Sequence, residues 1–283
     1  MLPARELTWD YPDTELGVMR VVVLIPEHAA DVRLPVLVAL HGRGEALKGP
    51  ELGARGWVDD YWLPTAIERL HRPPITLDDL QGFADEARLA RLNQSLRVRP
   101  YQGLIIVCPY TPDTLPADES IDKALPLSRF VVETVLPRVY RETPAMGTPQ
   151  TTGIDGVSLG GRAALGIGLL RPQAFAVVAA LQAAVRSDNS EDILRRARAA
   201  KAQKPELFVR LLTSSDDYFL KANHLLAEAL TAAGIRTELV DIPGPHDYVF
   251  NRGPGAYEML LFHDRVLRGQ PEFSAPDPEH ALP

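Results

Sequence analysis

The octapeptide Ile154-Asp155-Gly156-Val157-Ser158-Leu159-Gly160-Gly161 constrains this chain more than any other stretch. It reads G-x-S-x-G. The run Thr151 to Val157 before it can enter a buried sheet as a strand, and the small, apolar run Gly161 to Leu170 after it has the pattern of a helix. A serine between a strand and a helix sits on a sharp turn that pushes its hydroxyl out of the backbone. Small neighbours are needed because strand and helix nearly touch there. The same turn places the free N–H groups of a helix start beside the serine, where negative charge can be held.

The rest of the chain supports a sheet around that turn. Apolar, β-rich runs recur at Gly17 to Ile25, Pro35 to Leu40, Leu104 to Cys108, Phe175 to Leu181, Leu207 to Leu212 and Thr237 to Ile242. Helical patterns lie between and after them: Val58 to His71, Leu127 to Tyr140, Glu191 to Ala202, Phe219 to Ala233 and Ala256 to Leu267. Pro137 is expected to kink or end the second of these, and Gly234 to stop the fourth. Strands alternating with helices predict an α/β fold, a mostly parallel central sheet with helices on both faces. With 283 residues, 46% of them hydrophobic, one large domain over 1–268 has ample core material.

Two segments stand outside that core. Residues 44–101 form a helical insertion, with a second polar helix expected from Leu77 to Leu96. It leaves from the loop after the second strand, so it is a candidate cap over a site there, or else a packing extension. The tail 269–283 is Pro-rich and expected to be loosely ordered.

Composition removes several function classes. The net charge of −7 and the lack of a basic run argue against nucleic acid as a partner. The single cysteine, Cys108, excludes an internal disulfide and reads as a small core residue in a strand. No stretch is long and apolar enough for a membrane span, and Met1 to Asp10 has no apolar signal region. The expected location is therefore cytoplasmic by default, with an exported form that has lost its signal as the other option. No H-E-x-x-H type spacing is present, so neither a metal nor an organic cofactor is expected.

A neutral serine needs a base, and the base needs an orienting acid. In a doubly wound hydrolase these follow in the order serine, acid, histidine. His246 lies in the Gly/Pro-rich loop Pro243-Gly244-Pro245-His246 just past the last strand, and is the base candidate. His28, His71 and His280 fall in polar or terminal segments, and His224 and His263 within helical patterns. The acid comes from Ser214-Ser215-Asp216-Asp217-Tyr218, where either Asp216 or Asp217 can face the imidazole while the other caps the following helix. Asp247 adjoins the histidine and should point elsewhere. Two N–H groups are expected to form an oxyanion hole: that of Leu159, after the serine, and that of Arg43 in His41-Gly42-Arg43-Gly44, with Gly42 as the fallback.

From about Gly17 to Leu267 the chain resembles an esterase group of α/β-hydrolases that includes esterase D type, polyhydroxybutyrate depolymerase-like, feruloyl-esterase-like and enterochelin-esterase-like enzymes. The residues that carry this are Leu40-His41-Gly42, Gly156-Val157-Ser158-Leu159-Gly160-Gly161, Ser215-Asp216-Asp217-Tyr218-Phe219-Leu220 and Gly244-Pro245-His246-Asp247, with the helical run Phe130 to Pro137 before the serine strand. The resemblance implies the α/β-hydrolase fold, with Ser158 as nucleophile, His246 as base and Asp217 as acid. Asp217 is preferred over Asp216 because in the esterase D type, which the chain resembles, the acid precedes a short aromatic-Leu run, as Asp217 does here. The chain departs from the group at Arg43, at the insertion, and at Leu181-Gln182-Ala183-Ala184, where relatives often carry Ser-Gly. The implied activity is hydrolysis of a small-molecule carboxylic ester through an acyl-enzyme. The alternatives are acyl transfer from the same intermediate and a non-catalytic binding module on the same fold.

Overall fold

The β-branched runs are short and bounded by turn residues, and each becomes a strand. The computed structural model describes residues 5–28, 30–113, 120–186 and 190–270. Within them one mixed sheet contains β1 (Arg5–Thr14), β2 (Gly17–Ile25), β3 (Val36–Leu40), β4 (Ile105–Pro109), β5 (Thr152–Gly156), β6 (Val177–Leu181), β7 (Phe208–Asp216) and β8 (Arg236–Pro245). The order is β1-β2-β4-β3-β5-β6-β7-β8. β2 runs antiparallel to both β1 and β4; β3 to β8 pair in parallel with one another.

β1 is the strand that the sequence pattern did not reveal. Its inward positions, Leu7, Trp9 and Tyr11, alternate as a strand should, but polar residues and Pro12 obscure them. An edge strand tolerates that proline because one side of its backbone needs no partner.

The sheet separates two cores, and the pleat assigns residues to each. Val36, Val38 and Leu40 of β3 face one side, Leu37 and Ala39 the other. The first side is covered by the helices Leu159–Leu170, Ser190–Gln203 and Leu220–Ala232 and by the helical stretch from Leu125 to Glu142. The second is covered by the C-terminal helix Ala256–Val266 and by the insertion, through Trp57, Leu63, Ile67, Leu70, Leu92 and Leu96. A buried carboxylate helps to tie the insertion down. Glu258, on the C-terminal helix, lies 2.6 Å from Arg88 of the insertion and 3.2 Å from Arg210 of β7.

Several helix boundaries differ from the sequence expectation for local reasons. The chain does not stop at Pro137: a π turn over Phe130–Val135 leads directly into the helix Leu136–Glu142, whose second residue is the proline. A first-turn proline needs no intrahelical N–H partner. The helix expected from Leu77 begins only at Glu86, where the carboxylate of Asp85 accepts the N–H of Arg88 at 2.6 Å. Before it, Gln81 and Gly82 adopt left-handed backbone angles that break any helix. The stretch expected as one helix from Val58 is a π turn, Gly56–Asp60, followed by a left-handed Trp62 and the helix Leu63–Leu70. Gly234, at φ +70°, ends the helix before β8 as expected. Residues 271–283, with most of the expected loose tail and His280, lie outside the described residues.

Candidate active site

Ser158 follows β5 and immediately precedes the helix Leu159–Leu170. Its backbone is left-handed, φ 56° and ψ −114°, which an L-residue adopts only when its surroundings impose it. The imposing contacts are explicit. The N–H of Ser158 donates to Leu181 O at 2.9 Å, and Ser158 O accepts from Arg162 N and Ala184 N, each at 3.0 Å. The turn closes because its glycines touch backbone. A Cβ on Gly160 would lie 2.4 Å from Leu40 O and 2.6 Å from His41 O. Gly160→Ala is therefore expected to lower unfolding free energy by about 1–3 kcal/mol. Equilibrium urea unfolding checks this, and an unchanged midpoint would show that β3 can move away at little cost.

His246 sits just beyond the end of β8, and its ring bridges two groups. Nε2 is 3.0 Å from Ser158 Oγ, and Nδ1 is 2.6 Å from Asp217 Oδ1. A carboxylate can only accept, so Nδ1 carries the proton and Nε2 is left to accept from the serine hydroxyl. Asp217 is held from three sides. Oδ2 accepts from Thr213 Oγ1 at 2.7 Å, Oδ1 accepts from Phe219 N at 3.0 Å, and the side chain is 0% exposed. Tyr218 and Phe219 place their rings 5.4 Å and 5.7 Å from the imidazole.

The neighbouring carboxylates are placed elsewhere. Asp216 ends β7, is exposed, and follows a register shift against β8 between Ser214 and Asp216. It does not cap the next helix, contrary to one expectation; that helix has no side-chain cap, and Asp217 itself receives the adjacent Phe219 N–H. Asp247 caps its own short helix by accepting Phe250 N at 2.9 Å. Of the helical histidines, His263 is buried with Nε2 3.1 Å from Asp155, and His224 pairs with Asp241 on the surface. Burial pushes the pKa of His263 down.

The loop after β3 brings its own donors. Leu159 and Arg43 are each the first residue of a helix, so their N–H groups have no acceptor within it. Gly42 differs: its N–H already donates to Tyr61 Oη at 3.1 Å. His41 pins this loop to β4. Its Nε2 accepts Thr111 N–H at 2.8 Å, so Nδ1 holds the proton and donates to Gly42 O at 2.9 Å. Burial pushes its pKa down to about 4, which keeps it neutral. The Arg43 side chain turns outward to Asp113 at 2.7 Å.

The sequence did not point to Glu45, Tyr61 or Tyr248. Glu45 is 1% exposed and accepts hydrogen bonds from the hydroxyls of Tyr61 and Tyr248, the latter at 2.6 Å. It thereby joins the loop after β3, the insertion and the histidine loop. A cavity of about 180 Å³ opens among these groups, lined by Arg43, Tyr61, Ser158, His246, Tyr248 and Asn251. Cys108 is buried within β4, and burial pushes its thiol pKa up. Among the described residues no group of three or more His, Cys, Asp or Glu could hold a metal ion, and no helix is long and apolar enough to cross a membrane.

No family model matches the chain, and no curated protein matches it. Solved structures do. A ferulic acid esterase aligns with a TM-score of 0.67 at 17% identity, over 94% of this chain and 100% of that one. The S-formylglutathione hydrolase of Staphylococcus aureus aligns with a TM-score of 0.62 at 16% identity, over 92% and 98%. The enterobactin esterase of Shigella flexneri aligns with a TM-score of 0.60 at 18% identity, over 93% of this chain and 58% of that one. These likenesses, together with the strand order, establish the α/β-hydrolase fold.

Proposed function

We propose that this chain is a serine hydrolase of small-molecule carboxylic esters. The observation that carries the reading is the unbroken series Asp217–His246–Ser158, with contacts of 2.6 and 3.0 Å, opening onto a cavity. Ser158 Oγ attacks the acyl carbon as His246 Nε2 takes its proton. The buried charge of Asp217 stabilises the imidazolium that forms. The oxyanion is held by the N–H groups of Leu159 and Arg43, each donor being worth about 10²–10³ in turnover. His246 then protonates the departing alcohol, and water, activated by the same imidazole, releases the acid. Protein, substrate and the attacking water carry every proton in this cycle. The insertion helps to shape the site through Tyr61, which fixes the loop that presents Arg43. The structural neighbours, a ferulic acid esterase, an S-formylglutathione hydrolase and an enterobactin esterase, support this chemistry.

Labelling with a fluorophosphonate tests the reading directly. Intact mass is expected to rise by one phosphonyl adduct per chain, and peptide mapping to place it on Ser158. No adduct with either a bulky or a small reagent on folded protein would favour the binding module. Adduct formation with products appearing only when an alcohol or amine acceptor is supplied would favour acyl transfer.

A further inference from the structure

Gln182 immediately follows β6, and it is unusual in two respects. It is a non-glycine residue in the left-handed region, φ 45°, and its side chain is fully buried. Strain of this kind persists only where the surroundings over-determine it, and it clusters at functional sites. Here the surroundings are the two catalytic candidates. On one side, the flanking residues hold the serine turn: Leu181 O accepts Ser158 N–H, and Ala184 N–H donates to Ser158 O. On the other, Gln182 Nε2 donates to Pro245 O at 2.9 Å and to Ser214 Oγ at 2.5 Å. Ser214 Oγ in turn donates to Pro245 O at 3.2 Å. Pro245 immediately precedes His246. Only the NH₂ end of the amide can face that carbonyl, so the amide's orientation is fixed by its partner.

We infer that Gln182 is a positioning residue for His246: its amide ties the carbonyl before the base to the segment that grips the nucleophile. Resting on the serine-hydrolase reading, this assigns the 3.0 Å spacing of His246 and Ser158 to a side chain that touches neither reacting atom. Gln182→Met keeps the length of the side chain and removes both donors. A displacement of about 1 Å at such a site can cost about 10²-fold. The variant is therefore expected to lose about 10- to 100-fold in kcat on an activated ester, with KM held within about twofold. Because the effect passes through His246, the same substitution in a His246→Ala background should cost almost nothing further. A structural signature accompanies it. A downfield proton resonance of His246 Nδ1–H bonded to Asp217 is expected in the wild type from the 2.6 Å contact, and should broaden or vanish in Gln182→Met. Gln182→Gly relieves the left-handed backbone while also losing the amide, and the same losses are expected from it should the Met variant not fold. An equal loss in both backgrounds, or an unchanged resonance with an unchanged rate, would overturn the assignment. If the wild type turns over no ester at all, the hydrolase reading fails. The resonance comparison then decides on the tether by itself: loss in Gln182→Met supports it, persistence overturns it.

Discussion

Ser158→Ala is expected to lower kcat on an activated ester by about 10⁶-fold, and His246→Ala by a similar factor. The double substitution should be no worse than either alone. In the proposed mechanism serine and imidazole contribute one event, transfer of the hydroxyl proton along the 3.0 Å contact, so removing either member removes the event. The backbone donors of Leu159 and Arg43 and the substrate cavity survive both changes, and sustain a residual rate about 10³–10⁴ above water. Steady-state kinetics on the three variants, with thermal unfolding to confirm that each is folded, checks the pattern. Alanine at position 158 must still adopt φ 56°, as serine does, so stability should change little. Losses that multiply would mean that the two residues act in separate steps, and the relay would have to be abandoned.

What could be seen in the sequence was whatever short-range chemistry encodes. Strands such as Leu104 to Cys108 announce themselves because both faces are buried and every position must be apolar. The serine turn is legible because its glycines answer to backbone atoms within a few ångströms, whatever the substrate. His246 was singled out by its place after the last strand. Residues whose partners lie far along the chain were not legible. Glu45 looks like an exposed helix-start acid until Tyr61 and Tyr248 are brought onto it. Gln182 looks like an ordinary polar residue after a strand until Pro245 arrives. β1 was hidden because an edge strand needs only every second residue to be apolar. The short tertiary contacts that bury these polar groups leave no periodicity to read.

The acid shows where sequence and structure meet. Asp216 and Asp217 are adjacent, chemically identical and both follow β7, so the residues alone allow either. The structure separates them through the register shift at the end of β7, after which Asp217 turns inward while Asp216 stays exposed. Asp217→Ala is accordingly expected to lower kcat by about 10⁴-fold, and Asp216→Ala to change it by no more than about twofold. The Ala variant also strands two donors, the Thr213 hydroxyl and Phe219 N–H, so some of its loss could come from a loosened loop. Asp217→Asn separates these contributions. Its carbonyl can still accept from Phe219 N–H and from His246 Nδ1–H, and the Thr213 hydroxyl can rotate to accept from the new amide. What it cannot supply is the negative charge that steadies the imidazolium. A large loss in Asp217→Asn with unfolding unchanged therefore measures the charge. Near-normal turnover there would make Asp217 a positional prop. A loss confined to Asp216→Ala would require the end of β7 to reverse its two side chains when substrate binds.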